Sequence, residues 1–349
     1  MPVAAIENRL DALLGSAPAV SLSKDARLFV LSDLHLGNGS PRDDFLPNGA
    51  LTVTVLREHY LAKGYGLILN GDIEELQRYK LHDIRERWAE LYQLFGRFRA
   101  TTSLYKIVGN HDELLWKCDG EGLLEAIRLL SGDDTLLVFH GHQATIYFEN
   151  FNWLSGFFLK YFANTLRIRN VPVTYESRKK FWTEHRVYDF ASAHKIVSII
   201  GHTHRPLFES LSKIDTVRYR IEQLVRDYLD ATGEARVGIE TAIGEYREEL
   251  ERLWERDRED GLRSSLYNDQ ICIPCLFNSG CAIGRHGITG IEIADGKIAL
   301  VHWFDRARGI RGPMAAEGQP QRLGQTSYYR AVIKQDRLEY IFSRIRLLA

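Results

Sequence analysis

The chain has 349 residues, of which 45% are hydrophobic and 26% charged, and its formal net charge at pH 7 is −1. This length allows one large domain with insertions or two domains. The near-neutral charge argues against a protein that wraps nucleic acid by electrostatic attraction. Four cysteines in a chain of this length exclude a disulfide scaffold and favour a reducing compartment.

The N-terminal segment MPVAAIENRLDALLGSAPAV does not fit a signal peptide. Glu7, Arg9 and Asp11 interrupt its apolar run, and no basic region precedes it. The sequence also lacks the roughly 20 uninterrupted apolar residues of a spanning helix. We therefore predict a cytoplasmic protein, with peripheral contact at the inner membrane face as an open alternative.

Short apolar segments that end in polar residues predict the strands of a buried sheet. In chain order they are RLFVLSDLH, GYGLILNGD, SLYKIVGNHD, TLLVFHGHQ and KIVSIIGHTHRP. Helical patterns lie between them, such as ALTVTVLREHYLAK and DIRERWAELYQLFGRFRA. This alternation predicts an α/β architecture. Ligands of such sheets bind at the carboxyl ends of the strands, where the polar residues stand.

Two segments interrupt this alternation. The first, residues 148–193, opens with FENFNWLSGFFLKYFANTLRIRN and continues through the basic SRKKFW. The second, residues 210–267, carries two apolar stripes at helical spacing, separated by the turn-like ATGEARVG. We predict a single domain, residues 1–349, in which 148–193 is a helical lid and 210–267 is a helical hairpin.

After the hairpin, β character returns in ICIPCLFNSGC, GITGIEIADG and KIALVHWFD, and ADGK predicts a tight turn between two strands. Cys272 and Cys275 form a Cys-x-x-Cys pair. A zinc site needs a second pair of ligands, and a redox site needs a thioredoxin-like context; the sequence offers neither. We interpret the cysteines as small buried strand residues, interrupted by Pro274.

The polar strand ends supply residue types that bind metal ions. Asp33 and His35 flank one leucine, so an extended backbone would place both side chains on the same face. The later strand ends are Gly71-Asp72, Gly109-Asn110-His111-Asp112, His140-Gly141-His142 and Gly201-His202-Thr203-His204. One such motif is typical of a turn or of a hydrogen-bonded core histidine. The complete set, each member closing a strand, indicates a functional site.

In this order the motifs resemble the signature of the calcineurin-like metallophosphoesterases: D-x-H, G-D, G-N-H-[DE], H and G-H-x-H. The resemblance covers about residues 27–206 and the C-terminal strands. It implies an αββα sandwich of two mixed sheets, with the lid insertion and the hairpin outside the shared core. It also implies two metal ions. One would be held by Asp33, His35, Asp72 and His204, and the other by Asp72, Asn110, His140 and His202, with Asp72 as the bridge.

Mixed oxygen and imidazole ligands favour Mn²⁺, with Fe, Zn²⁺ and Co²⁺ as alternatives, over an all-oxygen Mg²⁺ or Ca²⁺ site. Two such ions about 4 Å apart lower the pKa of a shared water and neutralise charge on a phosphoryl group. The resemblance assigns His111 to contact with the phosphoryl oxygen or to protonation of the leaving group. Asp112 either orients His111 or caps the following helix.

Several residues are candidates for substrate contact. His142 either supports the metal ligands or touches the substrate. Arg205 either meets a substrate phosphate or forms a surface ion pair. In the first insertion, an apolar helix with Phe157 and Phe158, followed by cations that include Arg167, fits a lid that holds acyl chains and a diphosphate. An ordinary buried helix with a basic tail fits the same residues.

Within the family, GDIEELQ and GNHDE disfavour the protein phosphatases. SDLHLG, GDIEE and GHTHRP resemble the bacterial UDP-2,3-diacylglucosamine pyrophosphatases, although His111 stands where that group usually has arginine. We predict a dinuclear-metal-dependent hydrolase of phosphoester or pyrophosphate bonds, acting on a lipid-linked nucleotide diphosphate such as UDP-2,3-diacylglucosamine.

Other functions are compatible with the same motifs. The chain could be a phosphodiesterase or phosphatase acting on small soluble or nucleotide substrates. A nuclease, and nucleic acid as a partner, are disfavoured by the neutral charge. A non-catalytic scaffold on the same fold, such as the metallophosphoesterase-like subunit of the retromer coat, typically lacks ligands or the catalytic histidine. That reading is disfavoured because the predicted ligands and His111 are all present.

Overall fold

The computed structural model describes residues 3–118, 122–145, 177–210, 231–259, 273–310 and 316–349, together with positions 217, 221, 224, 225, 228 and 229. The chain divides into two compact units: Met1–Phe208 with Ile273–Ala349, and Glu209–Cys272. The predicted hairpin, 210–267, falls within the second unit. The description of the chain as a single domain stays a prediction.

The helices and strands are as follows. The helices are α1 Val3–Ser16, α2 Gly49–Val55, α3 Leu81–Arg87, α4 Ala89–Thr101, α5 Leu115–Cys118, α6 Ser177–Ala193, α7 Glu234–Glu259 and α8 Leu338–Leu348. The strands are β1 Ala19–Ser21, β2 Arg27–Leu31, β3 Gly66–Asn70, β4 Leu104–Ile107, β5 Leu123–Leu124, β6 Ala126–Ser131, β7 Asp134–Phe139, β8 Val197–Ile200, β9 Leu276–Asn278, β10 Ile288–Ala294, β11 Lys297–Asp305, β12 Glu317–Arg322 and β13 Tyr328–Arg337.

The strands form two mixed sheets. The 5-stranded sheet has the order β1-β6-β7-β8-β9, and the 8-stranded sheet has the order β12-β13-β11-β10-β2-β3-β4-β5. In the 8-stranded sheet, β2, β3, β4 and β5 run parallel to one another. In the 5-stranded sheet, β7, β8 and β9 run parallel to one another. The predicted α/β fold with two mixed sheets is therefore confirmed.

The side chains of β2 show how the layers pack. Val30 lies in a core cluster that also contains Val138 of the other sheet, whereas its neighbours Phe29 and Leu31 lie in a second cluster. This alternation follows from the period of two along a strand. The first cluster therefore fills the space between the sheets. The helices add to both clusters: α1 and α6 contribute apolar residues to the first, and α2 and α4 to the second.

Strands β2, β3, β4, β7 and β8 coincide with the apolar segments predicted from the sequence, and each ends immediately before or within one residue of its polar motif. The predicted ADGK turn is also confirmed. Asp295 and Gly296 have φ of 52° and 72° between the antiparallel strands β10 and β11. Two consecutive left-handed residues are typical of a tight hairpin turn.

In the second unit, α7 packs its apolar stripe against residues of the preceding segment. Val217, Tyr246 and Leu250 are buried together, with Ile221 and Leu224 partly buried beside them. Ile221, Leu224, Tyr246 and Leu250 belong to the two apolar stripes predicted within residues 210–267, whereas Val217 lies outside them. Within the described part of the chain, no helix is both long and apolar enough to cross a membrane.

The predicted lid is only partly described. Residues 177–193 form α6, and the remainder of 148–193 lies outside the described residues. Cys272 also lies outside them, and Cys275 is buried.

Candidate metal centre

Loops at the carboxyl ends of the parallel strands meet at one edge of the two sheets. The backbone N–H of Asp33 donates to the carbonyl of Gly71 at 3.1 Å, and that of His35 donates to the carbonyl of Asp72 at 2.9 Å. The N–H of His202, in the loop after β8, donates to Oδ2 of Asp33 at 3.0 Å and so links the two sheets. The motifs after β2, β3 and β8 therefore share one site.

The backbone of this site is unusual because many of the predicted ligand residues have a left-handed backbone conformation. The φ angles are 53° at Asp33, 46° at His35, 52° at Asp72, 62° at His202 and 57° at His204. Such angles are unfavourable for residues other than glycine and persist only where the surroundings hold them. The sequence analysis expected Asp33 and His35 to lie close together because both would face one side of an extended strand, and that reason was wrong. Strand β2 ends at Leu31, and the left-handed turns bring the two side chains together.

Two motif glycines allow the loops to approach each other. A Cβ atom on Gly109 would lie 2.2 Å from Oδ1 of Asp72, and one on Gly201 would lie 2.5 Å from Oδ2 of Asp33. Both distances are far below van der Waals contact. The glycines of G-N-H and G-H-x-H are therefore required for close packing against the carboxylates.

The first group of ligands comprises Asp33, His35 and His204. Nε2 of His204 lies 3.0 Å from Oδ1 of Asp33 and 3.2 Å from Nε2 of His35. Nδ1 of His35 lies 3.1 Å from Oε2 of Glu75. Because a carboxylate only accepts, Nδ1–H of His35 donates to Glu75, and Nε2 of His35 faces the other members of the group.

The second group comprises Asp72, His140 and His202. Nδ1 of His140 donates to the carbonyl of Asn70 at 2.8 Å, so Nε2, which lies 3.1 Å from Oδ2 of Asp72, is the ring nitrogen that would bind a metal ion. The same Oδ2 lies 3.9 Å from Nε2 of His35 in the first group. Asp72 therefore stands between the two groups, in the position predicted for a bridging ligand.

The unsatisfied atoms of the site test whether metal ions fit it. Oδ1 of Asp33, Oδ1 of Asn110 and Nε2 of His140 are buried and make no hydrogen bond of acceptable geometry within the described residues. Buried polar atoms without partners are costly, and acceptor atoms that converge on one another need a proton or a metal ion between them. Carboxylate, amide and imidazole donors suit divalent transition metals. The residues present fit two such ions.

The carboxylates are in the charge state that a metal ligand needs. Burial raises the pKa of Asp33, but the charges of His204 and His140 outweigh this effect and lower it. Burial likewise raises the pKa of Asp72, yet His140 and His111 bring it well below its ordinary value. Both groups are therefore anionic at neutral pH.

The sequence did not single out Glu75, which forms a third group with His35 and His111. Oε2 of this buried carboxylate lies 2.9 Å from Nδ1 of His111, so Nδ1–H donates and Nε2 is left for another partner. Burial lowers the pKa of His111, but Glu75 and Asp72 outweigh it and raise the pKa to about 10. Metal ions beside Asp72 would oppose this increase, because added positive charge disfavours the imidazolium.

Asp112 does not take the place beside His111 that the sequence suggested. Its Oδ1 accepts from the N–H of Gly109 at 2.6 Å, and its Oδ2 accepts from the N–H of Ile73 at 2.8 Å. The fully buried side chain thus fastens the loop after β4 to the loop after β3. The carboxylate in contact with the His111 ring is that of Glu75, and Asp112 does not cap α5 through its side chain.

The other candidate residues are placed as follows. The ring of His142 lies 5.4 Å from that of His140 and 6.3 Å from that of His202, outside the candidate groups. Burial, with the charge of His140, lowers the pKa of His142 well below its ordinary value, so the ring is neutral. Arg205 pairs with Glu184. Phe157, Phe158 and Arg167 lie outside the described residues, and their roles stay predictions.

A cavity of about 360 Å³ lies next to the centre. One wall comes from α1, through Arg9 and Leu13, and the other from Gly109, Trp116 and His142. Gly109 precedes the predicted ligand Asn110 in the chain. The cavity is therefore lined by residues of two of the ligand motifs, Gly109 and His142.

Comparison with known proteins agrees with the fold and the motifs. The sequence profile of the calcineurin-like phosphoesterases matches residues 26–206, more than half of the chain. The chain therefore belongs to the calcineurin-like phosphoesterase family. Membership and the candidate ligand groups support a metal-binding hydrolase. No curated protein matches the sequence significantly.

The fold is similar to several solved structures of low sequence identity. Vps29 from Entamoeba histolytica is 11% identical, with a TM-score of 0.35, over 80% of this chain and 92% of that chain. The E. coli phosphoesterase Yfce is 12% identical, with a TM-score of 0.33, over 78% and 91%. A dimetal phosphatase from Danio rerio is 8% identical, with a TM-score of 0.34, over 79% and 95%. Likeness at this level carries no argument about activity.

Proposed function

We propose that this protein is a hydrolase of phosphoester or pyrophosphate bonds that uses two divalent metal ions. The observation that carries the proposal is the position of Asp72. Its Oδ2 lies 3.9 Å from Nε2 of His35 and 3.1 Å from Nε2 of His140, which belong to separate candidate ligand groups. Asp33, His35 and His204 would hold one ion, and Asn110, His140 and His202 the other, with Asp72 shared.

When bound, two such ions lower the pKa of a water molecule and stabilise the negative charge that develops on a transferring phosphoryl group. The residues of the chain supply the rest. Glu75 accepts from Nδ1–H of His111 and fixes the orientation of that ring. Nε2 of His111 then holds a proton for the leaving-group oxygen. Protonation by a positioned imidazole contributes typically about 10²- to 10⁴-fold.

We propose manganese as the metal, with iron, zinc or cobalt as alternatives, on the chemistry of the ligands alone. Imidazole and carboxylate ligands are shared by all four metals. Metal analysis of the protein purified from its own host, without added metal, decides between them.

We propose a lipid-linked nucleotide diphosphate as the substrate. The support is the composition of the first insertion, which includes the apolar side chains Phe157 and Phe158 and the cation Arg167. The described residues that flank the insertion also support this proposal. The insertion begins soon after His142 and ends in α6, whose Glu184 contacts the loop that carries His202 and His204. Small soluble or nucleotide phosphodiesters are the alternative substrates.

A lipid-linked substrate would bring the protein to a membrane surface. We accordingly propose a cytoplasmic protein in peripheral contact with the inner membrane face. Nucleic acid is not expected as a partner, because the net charge of −1 provides no general attraction for phosphate backbones.

The test is a hydrolysis screen of the purified protein loaded with Mn²⁺. The substrates are UDP-2,3-diacylglucosamine, bis-p-nitrophenyl phosphate and p-nitrophenyl phosphate, each with and without a chelator. We expect chelator-sensitive hydrolysis, fastest for the lipid-linked diphosphate. Hydrolysis of the small diester alone would overturn the lipid substrate but retain the metal-dependent hydrolase. Absence of both metal binding and hydrolysis would overturn the proposed function.

A further inference from the structure

A buried acidic side chain of α6 contacts the loop that carries two predicted metal ligands. Glu184 is fully buried, and its Oε1 accepts from Oγ1 of Thr203 at 2.7 Å and from Nε of Arg205 at 3.3 Å. Its Oε2 accepts from Nη2 of Arg205. Thr203 stands between His202 and His204, and Arg205 follows directly. One carboxylate thus holds both residues that alternate with the histidines.

This loop has a backbone that needs to be held. His202 and His204 both have positive φ, and Thr203 lies between them. Three side chains fasten the loop. Asp33 accepts from the N–H of His202 at 3.0 Å, Asn278 donates to Oγ1 of Thr203 at 2.8 Å, and Glu184 accepts from Thr203 and Arg205. Asn278 is the last residue of β9, and Glu184 lies on α6.

A second set of contacts joins α6 to the same loop. Oγ1 of Thr183, the residue before Glu184, lies 3.2 Å from Oγ1 of Thr145, which in turn lies 3.3 Å from Nε2 of His202. On the following turns of the helix, Val187 and Ala191 are buried in the core between the layers. The helix is therefore anchored by apolar packing at its C-terminal half and presents polar side chains to the ligand loop.

We propose that Glu184 is a positioning residue of the metal centre. It holds the turn at Thr203 so that His202 faces the group around Asp72 while His204 faces the group around Asp33. Neither Glu184 nor Arg205 is a ligand, and Arg205 acts through its ion pair with Glu184. The inference rests on the proposed binding of two metal ions.

The chemistry of the contacts explains why a carboxylate is needed. Oγ1 of Thr203 accepts from Asn278, so its own proton must go to an acceptor, and the guanidinium of Arg205 needs a negative charge beside it. Glutamate meets both demands at once. A glutamine can accept from Thr203 but carries no charge for Arg205, and alanine provides neither function.

The test measures metal binding to the apo-protein, which needs no substrate. Mn²⁺ is titrated calorimetrically into the wild type, Glu184→Gln, Glu184→Ala and the control Asp189→Asn. Asp189 is an acid on the same helix with a side chain 60% exposed, paired with His185. Loss of a residue that orients metal ligands typically weakens binding about 10- to 100-fold. We expect this loss for Glu184→Ala, a smaller loss for Glu184→Gln and none for Asp189→Asn.

Melting temperatures of the apo forms separate positioning from general stability. A lower melting temperature with wild-type Mn²⁺ affinity would overturn the inference, because Glu184 would then only stabilise the fold. If Glu184→Ala does not fold, the conservative pair Glu184→Gln and Thr203→Val answers the question. Each should weaken Mn²⁺ binding, because Glu184→Gln removes the charge that faces Arg205 and Thr203→Val removes the hydrogen bond from Thr203 to Glu184. Wild-type affinity in both variants would contradict the inference.

The two proposals can be told apart by the wild type. A wild-type protein that binds no Mn²⁺ would overturn the proposed function and this inference with it. A wild type that binds two ions, beside Glu184 variants of unchanged affinity, would overturn this inference alone.

Discussion

Oε2 of Glu75 lies 2.9 Å from Nδ1 of His111, and the same carboxylate accepts from Nδ1 of the predicted ligand His35. One buried acid therefore fixes both a metal ligand and the candidate proton donor. The two imidazole rings meet edge to face at 4.6 Å between centroids. The position of the proposed acid relative to the proposed metal is set by this shared partner.

Replacing Glu75 with glutamine should change the pH dependence of turnover, measured at saturating Mn²⁺. The negative charge of Glu75 raises the pKa of His111, so its removal lowers that pKa. Activity that requires protonated His111 should then fail at a lower pH than in the wild type. The pH profile of kcat for Glu75→Gln, beside the exposed control Glu86→Gln, measures the shift. An unchanged profile would show that Glu75 does not set the proton on His111.

His111→Ala should keep both metal ions and slow turnover by about 10²-fold or more, because a positioned acid is lost. The loss should become smaller for substrates with good leaving groups, which need little protonation. Turnover across a series of aryl phosphodiesters measures this dependence. If the loss is equal across the series, His111 binds the phosphoryl oxygen instead of donating a proton.

Asp72→Ala should abolish hydrolysis and metal binding together, because this carboxylate stands between the two groups of ligands. Metal analysis after dialysis, with the exposed acid Asp25 changed to alanine as a control, counts the ions per chain. Two ions retained with full turnover would place the active site elsewhere.

His59, which is not one of the candidate ligands, should make the stability of the folded protein depend on pH. Its ring lies 4.8 Å from that of Trp303 and 5.0 Å from that of Tyr60, and burial, with Lys63 and Arg330, lowers its pKa to about 3. Between pH 6.5 and pH 3 the unfolded chain binds a proton there that the folded chain does not. Stability therefore falls as the pH decreases through this window, by at most about 1.4 kcal/mol per pH unit from this residue.

The variant His59→Phe removes that contribution, so its stability should fall less between pH 6.5 and pH 5 than that of the wild type. Urea unfolding at both pH values measures the difference, and His82→Phe, at a side chain 85% exposed, is the control. An identical decrease in wild type and His59→Phe would mean that His59 is protonated in the folded protein.

Serine at both Phe157 and Phe158 should raise the KM for a lipid-linked diphosphate and leave a small soluble diester almost unaffected. Each aromatic that binds an acyl chain would contribute roughly 1.5–3 kcal/mol of apolar transfer. Kinetics on both substrates test this, with Leu347→Ser, 82% exposed, as the control. Equal losses on both substrates, with a lower melting temperature, would place these residues in the core.

The sequence predicts the parallel strands and the positions of the polar motifs well, because strands buried on both faces appear as continuous apolar runs. It does not distinguish Glu74 from Glu75. Only the fold directs Glu74 to Lys106 and Tyr92, and Glu75 to the histidines. Glu75 follows the predicted ligand Asp72 by three residues. The sequence cannot show which of two adjacent glutamates points toward the histidines.

Strand β12 was missed for a different reason. It contains Gly318 and Pro320, which argue against a strand in a sheet interior. At the edge of the 8-stranded sheet both are tolerated, because an edge strand pairs on one side only. The edge position is a property of the topology and does not appear in the local sequence.

The left-handed backbone at Asp33, His35, Asp72, His202 and His204 affects which substitutions would stabilise the fold during evolution. Each of these residues holds a conformation that costs on the order of 1–3 kcal/mol, and each would be relieved by glycine. In a chain without metal, replacement of such a residue by glycine would therefore relieve backbone strain as it removes the ligand, whereas replacement by alanine would keep the strain. Selection for folding alone would favour glycine at these positions.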